Sequence, residues 1–175
     1  MTEMFSLISE GLDSCEIYGS LASHPKTSKI FLDVFSWDTI PIHIKSKKFS
    51  FICNLSKAEH TGTHWIAIYS DGSYMDIFDS YCAIKNRVTT SRLKKLSNNM
   101  NLPIRYNRKR LQSDISNVCG HYCIAFIILR SKNYTIRQIS SLFSSNFEKN
   151  DHHIRKYVTP FIYSSKKKRN FCYKR

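Results

Sequence analysis

The chain has 175 residues, enough for one domain with a hydrophobic core, and its 27 lysines and arginines against 13 acidic residues give a net charge of +14. Its start, MTEMFSLISEG, is acidic where a signal peptide is basic, and its six cysteines include no CxxC pair of the kind that binds zinc. We therefore expect an intracellular protein with reduced thiols, no bound metal and no membrane segment.

The first third of the chain predicts one helix and two strands. An amphipathic helix is expected over residues 2–11, and a polar loop over residues 19–29. Apolar runs bounded by turn residues predict strands at 30–36 and 49–55. A polar loop, SKAEHTGT, follows the second strand at residues 56–63.

The strongest turn signal is the Asp71-Gly72 pair between two apolar runs, HWIAIY and YMDIFD. With these two residues as the turn of a hairpin, His64 lies directly opposite Asp79, at a Cβ separation of about 4.5–5.5 Å. A carboxylate at that distance holds an imidazole by a hydrogen bond. Asp76 falls on the other face of the ribbon, so this register selects Asp79 as the partner of His64.

The second half of the chain predicts one short strand, several helices and a tail. A weak basic helix lies within residues 83–101, a strand at 103–106, a buried helix at 117–130, and amphipathic helices at 135–143 and 147–162. Helices and strands are mixed without βαβ alternation, which predicts the α+β class. We expect one domain, residues 1–163, and a basic mobile tail, residues 164–175.

The run NVCGHYCIAFIILR, residues 117–130, is apolar on nearly every side, which predicts a helix in the centre of the domain. With Asn117 as N-cap, Cys119 lies in the first turn, where free backbone N–H groups and the helix dipole favour the thiolate. Gly120 is expected to leave open space beside the sulfur for a substrate backbone. Cys123, one turn further in, has the position of a buried structural cysteine.

Three segments, GTHWIAIY, MDIFDSYC and LQSDISNVCGHYCIAF, together resemble the adenovirus-type cysteine proteases (adenain and its relatives in adenovirus-like mobile elements). The ubiquitin-like-protein-specific proteases are more distantly similar. The resemblance implies a papain-like architecture, in which a mixed sheet packs against the central helix. It also implies a triad of His64, Asp79 and Cys119, with Gln112 as an oxyanion-hole donor. Trp65 and Gly120 are assigned to the wall of the cleft. For Trp65, the alternative is a position in the hydrophobic core.

Four other polar residues receive weaker assignments. His60, in the polar loop, and His121, inside the central helix, are alternative histidines for the chemistry, and both are more typical of structural or solvated positions. Asn54 and Asp38 match polar positions that recur in the family, and the sequence assigns them no role.

The resemblance implies a thiol endopeptidase that cleaves viral or mobile-element capsid and core precursor proteins at glycine-containing sites during particle maturation. Such an enzyme is expected to act as a monomer in the host nucleus or the virion, with no cofactor required for its chemistry. The first alternative is a protease for a ubiquitin-like modifier, whose acidic surface would face the basic half of the chain. The second is an inactive, basic nucleic-acid-binding protein on the same fold, against which the intact Cys, His, Asp and Gln set argues.

Charge is distributed unevenly: residues 81–175 carry 21 basic and three acidic residues, whereas the first 80 residues are net acidic. This asymmetry predicts DNA binding through phosphate contacts, with solvated surface charge as the alternative. The densest clusters are Arg105, Arg108, Lys109 and Arg110, and in the tail Lys166, Lys167, Lys168 and Arg169. The resemblance implies DNA as an activator. It also implies an activating peptide, but not a disulfide-linked one, because residues 83–111 contain no cysteine.

Overall fold

The computed structural model describes residues 11–84 and 90–166, and its centre is a five-stranded sheet with the strand order β1-β2-β3-β4-β5. The strands are β1 Phe31–Ser36, β2 Lys48–Asn54, β3 Trp65–Asp71, β4 Met75–Phe78 and β5 Ile104–Tyr106. The sheet is mixed, because β1 runs parallel to β2 and β5 parallel to β4, whereas β2, β3 and β4 are antiparallel. The helices are α1 Ser14–Ala22, α2 Thr90–Met100, α3 Cys119–Ser131, α4 Ile136–Ser141 and α5 Phe147–Lys166.

Both faces of the sheet are covered, so its central strands are apolar almost throughout. Ala67 and its strand partners belong to the cluster that surrounds α3. The neighbouring Ile68 points to the opposite face, where Leu93 and Leu96 of α2 complete a second cluster. Burial on both faces explains why the strands read as continuous apolar runs rather than as strict alternation.

The predicted central helix is confirmed, and with it the α+β class. Helix α3 packs on β3, and its Phe126 ring stacks on Phe78 with 4.5 Å between ring centroids. Its start differs from the prediction, because Val118 occupies the N-cap and offers no side-chain hydrogen bond. The Asn117 side chain instead accepts a hydrogen bond from Arg155 of α5. The first N–H groups of α3 therefore have no side-chain cap.

Helix α1 was not predicted from the sequence, and it replaces the first residues of the loop expected at 19–29. It begins with a capping box, in which Asp13 accepts from the Glu16 N–H at 2.7 Å and Glu16 accepts from the Asp13 N–H. The Asp-x-x-Glu spacing is the sequence signal for this start. Residues 2–10 of the predicted first helix lie outside the described residues.

The last two helices follow the prediction at their starts. Thr135 caps α4, and a capping box joins it to Gln138. Helix α5 continues through Pro160 to Lys166, so the end predicted near Pro160 is wrong. The rest of the predicted tail lies outside the described residues.

Cys15 is disulfide-bonded, which contradicts the expectation that all thiols are reduced.

The hairpin register differs from the prediction by two residues. Ser70 pairs with Met75, so the turn contains four residues, and the Asp71 carboxylate accepts hydrogen bonds from two backbone N–H groups within it. A shift of two keeps every side chain on its predicted face, whereas a shift of one reverses them all. Asp79 therefore stays on the same face as His64, although it no longer lies directly opposite.

Asp76, on the other face, belongs to a buried ion-pair cluster. Its side chain is fully buried and lies 2.7 Å from Arg105 Nε and 2.8 Å from Arg130 Nε. Arg130 is itself buried and also pairs with Asp71 at 3.0 Å. Two cations and two carboxylates thus balance one another beneath the hairpin turn.

No helix within the described residues is long and apolar enough to span a membrane.

Asp76→Asn is expected to destabilise the fold by about 3 kcal/mol, because it leaves the buried Arg130 charge short of one carboxylate. Asp71→Asn is the matched control. Its carboxylate is 36% exposed, and an asparagine retains the turn hydrogen bonds, so the loss should be about 1 kcal/mol or less. Urea unfolding of both variants measures the difference. Equal losses in the free energy of unfolding would contradict the greater contribution expected of the buried Asp76 carboxylate.

Candidate active site

His64 and Asp79 meet at one end of the sheet. His64 immediately precedes β3 and Asp79 immediately follows β4, and the distance from His64 Nε2 to Asp79 Oδ1 is 2.7 Å. Because an ionised carboxylate only accepts hydrogen bonds, Nε2 is the nitrogen that carries the proton. The remaining acceptor capacity of the carboxylate is used by the backbone N–H groups of Tyr81 at 2.9 Å and Ala83 at 2.8 Å. These three donors hold the Asp79 pKa below its usual value against the opposing effect of burial.

Asn107 fixes the Asp79 backbone. Its Nδ2 donates to the Asp79 carbonyl oxygen at 2.7 Å, and its Oδ1 accepts from the Asp79 N–H at 2.9 Å. Asn107 directly follows β5, and the parallel pairing of β5 with β4 brings it alongside Asp79. The sequence analysis missed this residue, and no local pattern identifies it, since its partner lies 28 positions away.

Cys119 is the first residue of α3, and its thiol lies beside the His64 imidazole. The ring nitrogen not used by Asp79, Nδ1, is buried and forms no well-aligned hydrogen bond with the described residues. It is therefore the nitrogen available to exchange a proton with the sulfur. Catalytic hydrogen bonds are often long or poorly aligned before substrate binds. The predicted Cys119, His64 and Asp79 thus lie in one site.

The charges of this site act mainly on the imidazole. Burial lowers the pKa of His64, but the interactions with Asp79 and with Cys119 outweigh burial and raise that pKa to about 9. These interactions favour the protonated imidazole, hydrogen-bonded to the Asp79 carboxylate. Burial holds the pKa of Cys123, one turn along α3, well above the ordinary value, so Cys123 remains a neutral thiol.

Tyr81 supports the imidazole and the loop before α3. Its ring packs on the His64 ring with 4.8 Å between centroids. Its hydroxyl lies 3.2 Å from the Ser116 carbonyl oxygen and 3.4 Å from that of Ser113. One side chain therefore connects the histidine to the segment that leads into Cys119.

Gln112 is fully buried, and its carboxamide is engaged on both sides. Nε2 donates to the Ser116 carbonyl at 2.9 Å and lies 3.1 Å from the Ser116 hydroxyl, while Oε1 accepts from Ser80 at 2.6 Å. In this conformation, the Ser116 carbonyl takes the donor that the resemblance assigns to an oxyanion. The oxyanion role of Gln112 remains a prediction, and it requires Nε2 to exchange one of its contacts with Ser116 for the oxyanion.

An open cavity of about 670 Å³ gives access to Cys119 and His64. Trp65 lines it and donates its indole N–H to the Leu12 carbonyl at 3.1 Å, so the cleft-wall assignment of Trp65 fits the structure. The open space expected beside Gly120 is absent. A Cβ there would lie 3.2–3.4 Å from Leu12, Ile17 and Trp65, so this glycine allows close packing of α1 on α3 instead.

The two other histidines have different surroundings. His60 is an exposed loop residue, and its Nε2 lies 3.6 Å from Glu59 Oε1. His121 is buried, and burial together with the nearby Arg155 charge lowers its pKa to about 4, so it is neutral near pH 7. Within the described residues, no three His, Cys, Asp or Glu side chains are arranged to hold a metal ion.

Most of the described basic cluster is engaged within the protein. Arg105 pairs with the hairpin carboxylates, Lys109 donates to the Phe143 carbonyl at 2.6 Å, and Arg110 lies 2.6 Å from Asp114. Arg108 is exposed and has no partner among the described residues. Lys166 is the last described residue of α5, and Lys167, Lys168 and Arg169 lie outside the described part. DNA binding and activation by a peptide therefore remain predictions.

Asp79→Asn should lower the His64 pKa, because it removes a negative charge that favours the imidazolium. The folded pKa of about 9 exceeds the ordinary histidine value of 6.5. The protonated ring therefore stabilises the fold fully below pH 6.5, and this contribution is lost as the pH rises through 9. NMR titration of the His64 ring measures the shift, with the exposed Asp114→Asn as control. An unchanged pKa in Asp79→Asn would contradict this account.

Gln112→Ala should reduce kcat by about two orders of magnitude with little change in KM, if Gln112 donates to the oxyanion. Ser80→Ala, which removes the hydroxyl bound to Gln112 Oε1 but keeps the amide, is the milder control. Steady-state kinetics with one substrate separates the two parameters. A loss confined to KM or to thermal stability would make Gln112 a brace for the Ser116 segment only.

Comparison with known proteins finds similarity in structure and none in sequence. No protein-family model and no curated protein matches the chain. The solved structure of ChlaDub1 from Chlamydia trachomatis matches with a TM-score of 0.67 and 10% identity, over 91% of this chain and 93% of that one. The central domain of the uncharacterized Lpg1148 protein from Legionella pneumophila matches with a TM-score of 0.54 and 13% identity, over 90% and 99%. The ASFV pS273R protease matches with a TM-score of 0.46 and 19% identity, over 64% and 44%. At these identities, the first two likenesses show a shared fold, and they do not single out the adenovirus-type proteases.

Proposed function

We propose that this chain is a cysteine protease that cleaves the bond after the C-terminal glycine of a ubiquitin-like modifier. The observation that carries the proposal is the 2.7 Å hydrogen bond between His64 Nε2 and Asp79 Oδ1 beside Cys119, at the start of a buried helix. Nucleophile, base and orienting acid in this arrangement are what acyl transfer to sulfur requires. The proximity of these three side chains supports an enzyme over the alternative of an inactive nucleic-acid-binding protein.

In the proposed reaction, the Cys119 thiolate attacks the carbonyl carbon of the modifier's terminal glycine. The backbone N–H of Cys119, at the uncapped start of α3, stabilises the oxyanion that forms. His64 then donates its Nδ1 proton to the leaving amine, and Asp79 keeps the ring oriented. Water next attacks the thioester with His64 as base, which releases the modifier carboxylate and restores the thiol.

The likeness to ChlaDub1 supports the ubiquitin-like modifier as the substrate class ahead of the capsid precursors. ChlaDub1 carries in its name the abbreviation for a deubiquitinase, and its fold extends over 91% of this chain. That likeness favours the modifier hypothesis over cleavage of viral or mobile-element capsid precursors, which the sequence resemblance had placed first. Cleavage of glycine-containing precursors is the competing outcome in the assay below.

A modifier with a fluorogenic amide on its di-glycine terminus should be hydrolysed at least about 100-fold faster than an extended precursor peptide with internal glycines, since the folded modifier adds binding surface. The measurement compares kcat/KM for ubiquitin, other ubiquitin-like modifiers and the peptide, with Cys119→Ala as the inactive control. Faster cleavage of the precursor peptide would restore the capsid hypothesis. Absence of turnover with every substrate would contradict the proposed function.

Cys119→Ser should abolish labelling by a thiol-reactive peptide probe and leave the thermal unfolding temperature nearly unchanged. Cys123→Ser should retain labelling and lower stability by about 1–3 kcal/mol, because it buries a hydroxyl in an apolar environment. Mass spectrometry of the labelled peptide, with thermal unfolding in parallel, distinguishes the two variants. Labelling that depends on Cys123 and persists in Cys119→Ser would exclude Cys119 as the nucleophile.

A further inference from the structure

A row of three side chains crosses the sheet beside the start of α3. Ser36 of β1 pairs with Asn54 of β2, and Asn54 pairs with Trp65 of β3. Paired residues on neighbouring strands point to the same face, and Trp65 lies against Gly120 of α3. The row is therefore on the face covered by the catalytic helix. All three of its side chains line the cavity that contains Cys119.

The oxygen of the Asn54 carboxamide accepts hydrogen bonds within the protein, whereas its nitrogen donates none to the described residues. Its Oδ1 accepts hydrogen bonds from the backbone N–H groups of Ser56 at 2.8 Å and Thr63 at 3.2 Å, which closes the β2–β3 loop. Its Nδ2 has no acceptor among the described residues, although Asn54 is only 5% exposed. Nδ2 is not among the fully buried polar atoms that lack a partner, so it faces the cavity, where a bound group can accept its hydrogen bond.

Gly62, in the β2–β3 loop, leaves room for the carboxamide. A Cβ at this position would collide with Asn54 Nδ2. Because Oδ1 is tied to two backbone groups, the amide has little freedom to turn away. A glycine at position 62 thus provides the space for the donor, and Gly62 lines the same cavity.

We propose that Asn54 Nδ2 donates a hydrogen bond to a backbone carbonyl of the substrate, on the residues that precede the cleaved bond, and thereby positions them against Cys119. This inference rests on the proposed function. Glycine residues have no side chain to recognise, so a cleft that selects them must bind their backbone. A neutral amide suits a neutral carbonyl, and Asn54 lies beside Trp65 in the lining of the cavity that contains Cys119.

The test compares two reagents that alkylate Cys119: an acylated Gly-Gly peptide that ends in an α,β-unsaturated methyl ester and adds the thiolate to its double bond, and iodoacetamide, which has no peptide backbone and loses iodide. Asn54→Asp keeps an oxygen acceptor for the Ser56 and Thr63 N–H groups but loses the donor. Its rate with the peptide reagent should fall about tenfold relative to its rate with iodoacetamide, as expected for one lost hydrogen bond and an unpaired carbonyl. The ratio cancels any effect of the new charge on the thiolate.

Gly62→Ala is the uncharged companion, because the methyl group displaces the carboxamide without removing it. It should lower the same ratio while the protein stays folded in thermal unfolding. A wild-type ratio in both variants would overturn the Asn54 inference and leave the proposed function standing. A wild-type enzyme that reacts no faster with the peptide reagent than with iodoacetamide would overturn the proposed function, and the inference with it.

Discussion

The packing of α3 across one face of the sheet is the constraint on which the rest of this structure depends. The helix is buried along nearly its whole length, so its position is set by hydrophobic contact with β3 and with three other helices. Its first residue consequently lies at the end of the sheet where β3 begins and β4 finishes. Cys119 meets His64 and Asp79 there because the packing of the helix on β3 and the pairing of β3 with β4 bring the three ends together.

Burial and charge act against each other in the site, and the balance favours the ionised form. Burial by itself would leave His64 neutral, but Asp79 and Cys119 reverse that effect. Asp79 holds its charge because it accepts from two backbone N–H groups as well as from the imidazole. Asn107 supplies the next layer, since it fixes the backbone that carries the carboxylate. Asn107 thus fixes the position of Asp79, and Asp79 fixes the orientation of His64 beside the Cys119 sulfur.

The positive charge of the second half is less available than the sequence alone indicates. Arg105 and Arg130 neutralise the hairpin carboxylates Asp71 and Asp76, which come from the acidic first half of the chain. The two halves therefore exchange ion pairs within one domain. A count of charges along the sequence cannot distinguish a cation that binds a partner from one that completes the fold, because the pairing is between residues some 30 to 60 positions apart.

The sequence by itself determined which residues are the candidates for the chemistry and on which face they lie. The apolar run of α3 required a buried helix with Cys119 at its mouth, and the two-residue period of a strand kept Asp79 with His64 even though the predicted register was shifted by two. Tertiary structure decided what depends on distant partners: the packing that fills the space at Gly120, the engagement of Gln112 by Ser116, and the clamp at Asn107. A local sequence pattern shows which residues of one helix or strand lie on the same face. Hydrogen bonds and close contacts between segments depend on how the segments are placed in space, and that placement exists only in the folded chain.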